Sequence, residues 1–89
     1  MTVLLHHTAG KYLNRLNPED KARFNAAFQD LEKEPPQGDI RPYIGVSGVQ
    51  RLHVGSYRAL FKIEGNIILV THIEPRGQAY TKKTRNRRG

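Results

Sequence analysis

The feature that most constrains this chain is the stretch from Val49 to Tyr80, where two glycine turns interrupt three short runs of alternating side chains. Along Gln50–Val54, Arg51 and His53 fall on one side and Leu52 and Val54 on the other, the period-two pattern of a half-buried strand. Gly55-Ser56 follows, and glycine at the first central position suits a two-residue type II′ hairpin turn. Tyr57–Ile63 alternates again, with Tyr57, Ala59, Phe61 and Ile63 on one face. Gly65-Asn66 is a second turn signal, and Ile67–Ile73 is rich in β-branched residues. Three strands joined by two tight turns make an antiparallel meander.

Register follows from turn length. A two-residue Gly55-Ser56 turn pairs Val54 with Tyr57, hence His53 with Arg58 and Arg51 with Leu60. Directly opposed side chains share a face, so the first hairpin alone gathers Arg51, His53 and Arg58 opposite the apolar side. The second turn leaves two registers open. A three-residue loop Glu64-Gly65-Asn66 pairs Lys62 with Ile68 and Arg58 with His72, which adds His72 to the cluster. A two-residue Gly65-Asn66 turn slips the third strand by one and removes His72 from it.

The residues before the meander read as a strand and two helices. Thr2–His6 is a short apolar strand of the same sheet. Thr8 caps a first helix to about Leu16, with Tyr12, Leu13 and Leu16 at helical spacing. Asn17-Pro18-Glu19-Asp20 is a strong helix start, with Asn as N-cap, Pro at the first helical position and acids in the first turn. The second helix is expected to reach about Glu34, with Ala22, Phe24, Ala27, Phe28 and Leu31 as its apolar side and Pro35-Pro36 as its stop. Gln37–Gly48 reads as a long loop carrying Arg41 and Tyr43 as candidate contacts. Glu74-Pro75-Arg76-Gly77 is expected to break the third meander strand. Gln78–Lys83 reads as one helical turn or a short final strand. The expectation is one α+β domain over residues 1–83, an antiparallel meander sheet packed against an N-terminal helical hairpin, with a basic tail over 84–89.

Charge narrows the partner. The chain carries a formal net charge of +7. Residues 1–39 hold five basic and six acidic side chains, residues 40–89 ten basic and two acidic. Such segregation points to a polyanion, most often nucleic acid. There is no cysteine, so neither a disulfide framework nor a zinc–thiolate site is available. His6 and His7 are adjacent without a third ligand nearby, so no metal is expected. No apolar run approaches the roughly 18 residues of a membrane span. The opening MTVLLHHTAG has no basic n-region, so the expected location is the cytoplasm.

The run Arg51-Leu52-His53-Val54-Gly55-Ser56-Tyr57-Arg58 resembles the pattern R-L-R-V-G-x-Y-R of the RelE/ParE toxins of bacterial type II toxin–antitoxin systems. His72 to Tyr80, with Arg76 four residues before Tyr80, is similar to the end of that pattern. The order of elements and the capped second helix match as well. The resemblance implies a microbial RNase or RelE-like fold and a small basic toxin silenced by a cognate antitoxin, expected to be acidic and small. RelE-type members cleave mRNA in the ribosomal A site, whereas ParE-type members poison DNA gyrase. The resemblance places Arg58 as transition-state stabiliser and Arg51 as a basic group of the preceding strand. Arg76 and Tyr80 fall on residues used for phosphate stabilisation and for stacking or proton transfer. Three departures stand out. His53 replaces a residue that is commonly Arg, Val49 stands where some members carry a catalytic Lys, and Ile73-Glu74-Pro75 replaces the more usual Gly-His or Gly-Lys.

Metal-free RNA cleavage uses the adjacent 2′-hydroxyl as nucleophile. It needs a base there, an acid at the 5′-oxygen and cations around the phosphorane. Arginine suits the last task because it is always charged and binds two phosphate oxygens at once. For the proton transfers, His53 or Glu74 is the expected base and Tyr80 stacks on a base or acts as acid. His72 is read as a packing or supporting residue, and Glu74 has Arg76 as an alternative ion-pair partner. Arg41, Lys62, Lys82, Lys83, Arg85, Arg87 and Arg88 are the expected contacts to RNA and ribosome. No cofactor is expected. Three readings follow: a ribosome-dependent endoribonuclease toxin, a gyrase inhibitor of the same fold, and a non-catalytic RNA- or ribosome-binding module.

Overall fold

A computed structural model describes residues 1–76 of the chain. The elements are β1 (Thr2–Leu5), α1 (His7–Asn14), α2 (Pro18–Leu31), β2 (Ile40–Pro42), β3 (Gln50–Val54), β4 (Tyr57–Glu64) and β5 (Ile67–Pro75). The strands form one five-stranded sheet in the order β1-β5-β4-β3-β2. The expected α+β architecture is the observed one, with the meander β3–β4–β5 at its centre. The sheet is mixed, however, because β1 runs parallel to β5 while the other neighbours are antiparallel.

Both helices cover one face of the sheet. From α2, Phe24, Phe28 and Leu31 are buried against Leu52, Val54, Ala59, Phe61, Ile68, Val70 and Ile73. Ala9 of α1 joins them, with Tyr12, Leu13, Leu16 and Ala27 packed at the margin. Ala22, expected on the apolar side, is exposed. Phe24 and Phe61 are 0% and 1% exposed. At about 25 cal/mol per Å² of apolar surface, each such side chain contributes roughly 2–3 kcal/mol.

The local signals act as their chemistry dictates, with four corrections. Asn17 caps α2, its side chain accepting from the Asp20 amide at 2.8 Å. The cap of α1 is His6 rather than Thr8: the His6 Nδ1 accepts from the Thr8 amide at 3.2 Å. The second helix stops at Leu31, three residues early, because the chain there is recruited to the sheet edge. Glu32 accepts from the Val3 amide of edge strand β1 at 2.7 Å, and Glu34 pairs with the N-terminal ammonium at 3.2 Å. The expected loop contains β2, which pairs Ile40 with Leu52, Arg41 with Arg51 and Pro42 with Gln50. Finally, β5 continues through Glu74 and Pro75 instead of breaking. β1 reaches only to Val70, so beyond it β5 is an edge, where proline is tolerated. No helix among the described residues is long and apolar enough to cross a membrane.

Candidate functional site on the open sheet face

Among the described residues the helices leave the other face of the sheet uncovered, and the two hairpin turns decide what stands on it. In both turns glycine takes a positive φ, 58° at Gly55 and 60° at Gly65, and no other residue type does. That is the signature of type II′ turns. The second turn is therefore the two-residue form, pairing Glu64 with Ile67. Continued regularly, this register would set His72 beside Ala59 on the core face. It does not continue regularly. A bulge between Leu60 and Phe61 leaves Thr71 unpaired, so that Leu60 faces His72, Ala59 faces Ile73 and Arg58 faces Glu74. The extra residue keeps Ile73 in the core and His72 and Glu74 out of it. Burying either polar side chain unpaired would cost several kcal/mol.

The open face consequently carries transverse rows. One holds His53, Arg58 and Glu74, and the next Arg41, Arg51, Leu60 and His72. A third, farther from the Gly55 turn, holds Lys62, Leu69 and Leu4. His72 thus shares the face with the arginines, opposite Leu60 rather than Arg58, and is exposed rather than packed.

Two carboxylates organise the charged row. Glu74 accepts from Arg58 Nε at 2.5 Å, so its ion-pair partner is Arg58, not Arg76. Asp39, immediately before β2, lies 3.3 Å from His53 Nδ1 and accepts from Arg41 Nε at 3.3 Å. The His53 amide also donates to the Asp39 carbonyl at 3.1 Å. The hydrogen bond from Arg41 holds the Asp39 carboxyl below the usual carboxylate range, and the charge of Arg41 and the His53 ring add to it against a smaller desolvation. The His53 side chain is 14% exposed. The Arg58 guanidinium carbon stands 6.0 Å from the centre of the Tyr43 ring. Arg51 Nε is buried and has no hydrogen-bond partner among the described residues, which leaves a cationic donor unsatisfied.

Arg76 lies just past β5 and folds back over the first hairpin turn: its amide donates to Ser56 at 2.9 Å and its Nη1 to the Gly55 carbonyl at 3.3 Å. Lys62 stands 3.9 Å from Glu64. Tyr80, Lys82, Lys83, Arg85, Arg87 and Arg88 lie outside the described residues. Of the candidates read from the sequence, Arg41, Arg51, His53, Arg58, Lys62 and Glu74 share the open face, with Arg76 at its end. Asp39 was missed. Its side chain is brought to His53 by β2, a strand too short to announce itself locally. Among the described residues no group of three or more His, Cys, Asp or Glu side chains is arranged to hold a metal ion.

Comparison with known proteins places the fold and the family. The family described as the ParE toxin of type II toxin–antitoxin systems, parDE, matches residues 3–80. A search of curated proteins finds no match. Among solved structures, a chain of the archaeal RelE–RelB complex from Pyrococcus horikoshii OT3 is 25% identical with a TM-score of 0.73, covering 86% of this chain and 96% of that one. A chain of the RelB–RelE antitoxin–toxin complex from Methanococcus jannaschii is 20% identical with a TM-score of 0.70, covering 88% and 95%. A chain of the chromosomal ParDE system from P. aeruginosa is 23% identical with a TM-score of 0.66, covering 85% and 96%.

Proposed function

The chain belongs to the ParE toxin family of type II toxin–antitoxin systems, and from that premise we propose that it is a ribosome-dependent, metal-independent endoribonuclease that cleaves mRNA in the A site. The observation that carries this reading is His53, its ring held by Asp39, directly opposite Arg58 and on one face with Arg51. A nuclease of this kind needs a proton acceptor beside fixed cations, and the arrangement supplies both.

In the proposed reaction His53 keeps its proton on Nδ1, where the Asp39 carboxylate accepts it, and presents an unprotonated Nε2 to the 2′-hydroxyl. The O2′–P bond forms as the P–O5′ bond breaks. The products are a 2′,3′-cyclic phosphate and a 5′-hydroxyl, and the leaving oxygen takes a proton from an acid for which Tyr80 is the candidate. Arg58 and Arg51 stabilise the charge that builds on the phosphorane. Glu74, bonded to Arg58, suits the task of aiming that guanidinium better than the role of base. The basic surface and the family support a cognate antitoxin that is small and acidic, and mRNA and ribosome as targets.

A second reading, inhibition of DNA gyrase without RNA chemistry, draws support from Asp39 and Glu74. Both offset positive charge where a nuclease concentrates it. Toeprinting on translating ribosomes separates the two. Wild type is expected to cut within A-site codons, and Arg58→Ala to lower the cleavage rate by about 10²–10³, the effect of losing one preorganised donor. Intact mRNA with wild type, together with inhibited supercoiling by gyrase, would replace the first reading with the second.

A further inference from the structure

Beside the charged row the open face carries a groove that the reaction above does not use. Tyr43, Val46, Val49, Leu60, Lys62, Thr71 and His72 enclose about 370 Å³. The Tyr43–Val49 segment folds back through two tight turns, Val46 N–H to the Tyr43 carbonyl and Val49 N–H to the Val46 carbonyl, each at 3.3 Å. Leu60 is only 8% exposed although it stands on the open face. The groove is apolar where Leu60, Val46 and Val49 line it and polar at Thr71 and His72. The Thr71 hydroxyl lies 3.4 Å from the Leu60 carbonyl and 3.1 Å from His72 Nδ1.

We propose that this groove is a nucleobase subsite, in which one base of the bound RNA stacks against Tyr43 while Arg58 and Arg51 hold the adjoining phosphate. The inference rests on the nuclease reading for the class of its ligand. Three features select a base over an apolar side chain of a protein partner. The Tyr43 wall is also the ring beside which the Arg58 guanidinium stands, so the apolar slot and the cation cluster share a side chain. Lys62 adds a second cation at the groove, on the next row of the same face. A polynucleotide alternates anionic phosphates with flat apolar bases whose edges are polar. The face offers the same sequence: cation, aromatic wall, apolar floor, polar rim, cation. The bulge at Thr71 is what brings His72 to that rim, where its ring can meet a base edge.

The test is a methyl-detected NMR titration of the full-length protein with adenosine 3′-monophosphate, and separately with inorganic phosphate. The nucleotide is expected to shift the methyl signals of Val46, Val49, Leu60 and Thr71 by ring current, whereas phosphate leaves them in place. Tyr43→Leu is expected to raise the nucleotide Kd about tenfold, as loss of one stacking partner does, with phosphate binding unchanged as the control for folding. Groove methyls that respond to nucleotide no more than to phosphate would overturn the subsite, as would methyls that respond only to an amphipathic antitoxin peptide. A-site cleavage with silent groove methyls removes the subsite and leaves the nuclease. Nucleotide-induced shifts in a protein that leaves mRNA intact remove the nuclease and leave the subsite.

Discussion

At the scale of single residues, the site is a set of side chains whose orientation depends on two carboxylates. Asp39 has the larger consequence because it touches both His53 and Arg41. Asp39→Asn keeps the shape but allows the amide to present a donor to the imidazole, which favours the wrong tautomer. Cleavage by the variant is expected to fall by up to about 10⁴-fold, the effect of turning the carboxylate that fixes a catalytic histidine's tautomer into an amide, with A-site binding unchanged. The pH dependence has a definite sign. The Asp39 carboxyl is held below its usual value of 3.8 in the folded protein. The stability it adds is complete above that pH and is lost as pH falls through the lower folded value. The stability difference between wild type and Asp39→Asn should therefore be constant above pH 3.8 and shrink as pH falls from there through the lower folded value, which acid unfolding curves would read. The arginines and His53 were legible one by one in the sequence, since strand alternation and a tight turn are local. Asp39 was not, because its partner lies 14 residues away and no local pattern links them.

At the scale of elements, β2 and the β5 bulge do the positioning. The chain enters β2 through Gly38, two residues before the strand, whose φ of 134° is one that side chains rarely adopt. A Cβ there would stand 2.9 Å from Leu52 Cδ1 in the core. Gly38→Ala is expected to destabilise the fold by about 1–3 kcal/mol through strain and overpacking. At about 4–8 °C per kcal/mol for a domain of this size, calorimetry should register a clear fall in Tm. Loosening β2 should also release Asp39, so activity should decline before global unfolding does. The bulge matters through parity. A two-residue turn alone would have turned His72 inward, and the inserted Thr71 turns it out again. The apolar run Ile67–Val70 hides the change of phase, because alternation cannot be read where nearly every side chain is apolar.

At the scale of the whole molecule, charge is divided between the sheet face and the C-terminal segment. Of the fifteen basic residues, five fall in Lys82–Arg88. If that segment supplies affinity and the face supplies chemistry, truncation after Thr81 should weaken ribosome binding and flatten its dependence on salt. Each lost phosphate contact should reduce the log–log slope by about 0.7 on single strands. Turnover of the bound complex should change little, whereas substitutions at Arg51 or Arg58 should do the reverse. Binding titrations at several salt concentrations beside single-turnover cleavage would read both quantities. Equal loss of both from either change would overturn the division.

The sequence by itself determined what short-range physics can specify. The type II′ turn at Gly55 and the Asn17 cap of α2 depend on residues within a few positions of one another. So does the shared face of Arg51, His53 and Arg58. The length of the Gly65 turn, by contrast, stayed open until the strands were paired. Tertiary structure alone decided the parallel docking of β1, the early end of α2, the existence of β2 and the bulge that sorts His72 and Glu74 from Ile73. A three-residue strand or a single extra residue has no stability of its own. Each exists because a partner strand and a packed core, remote in sequence, make its alternative costlier.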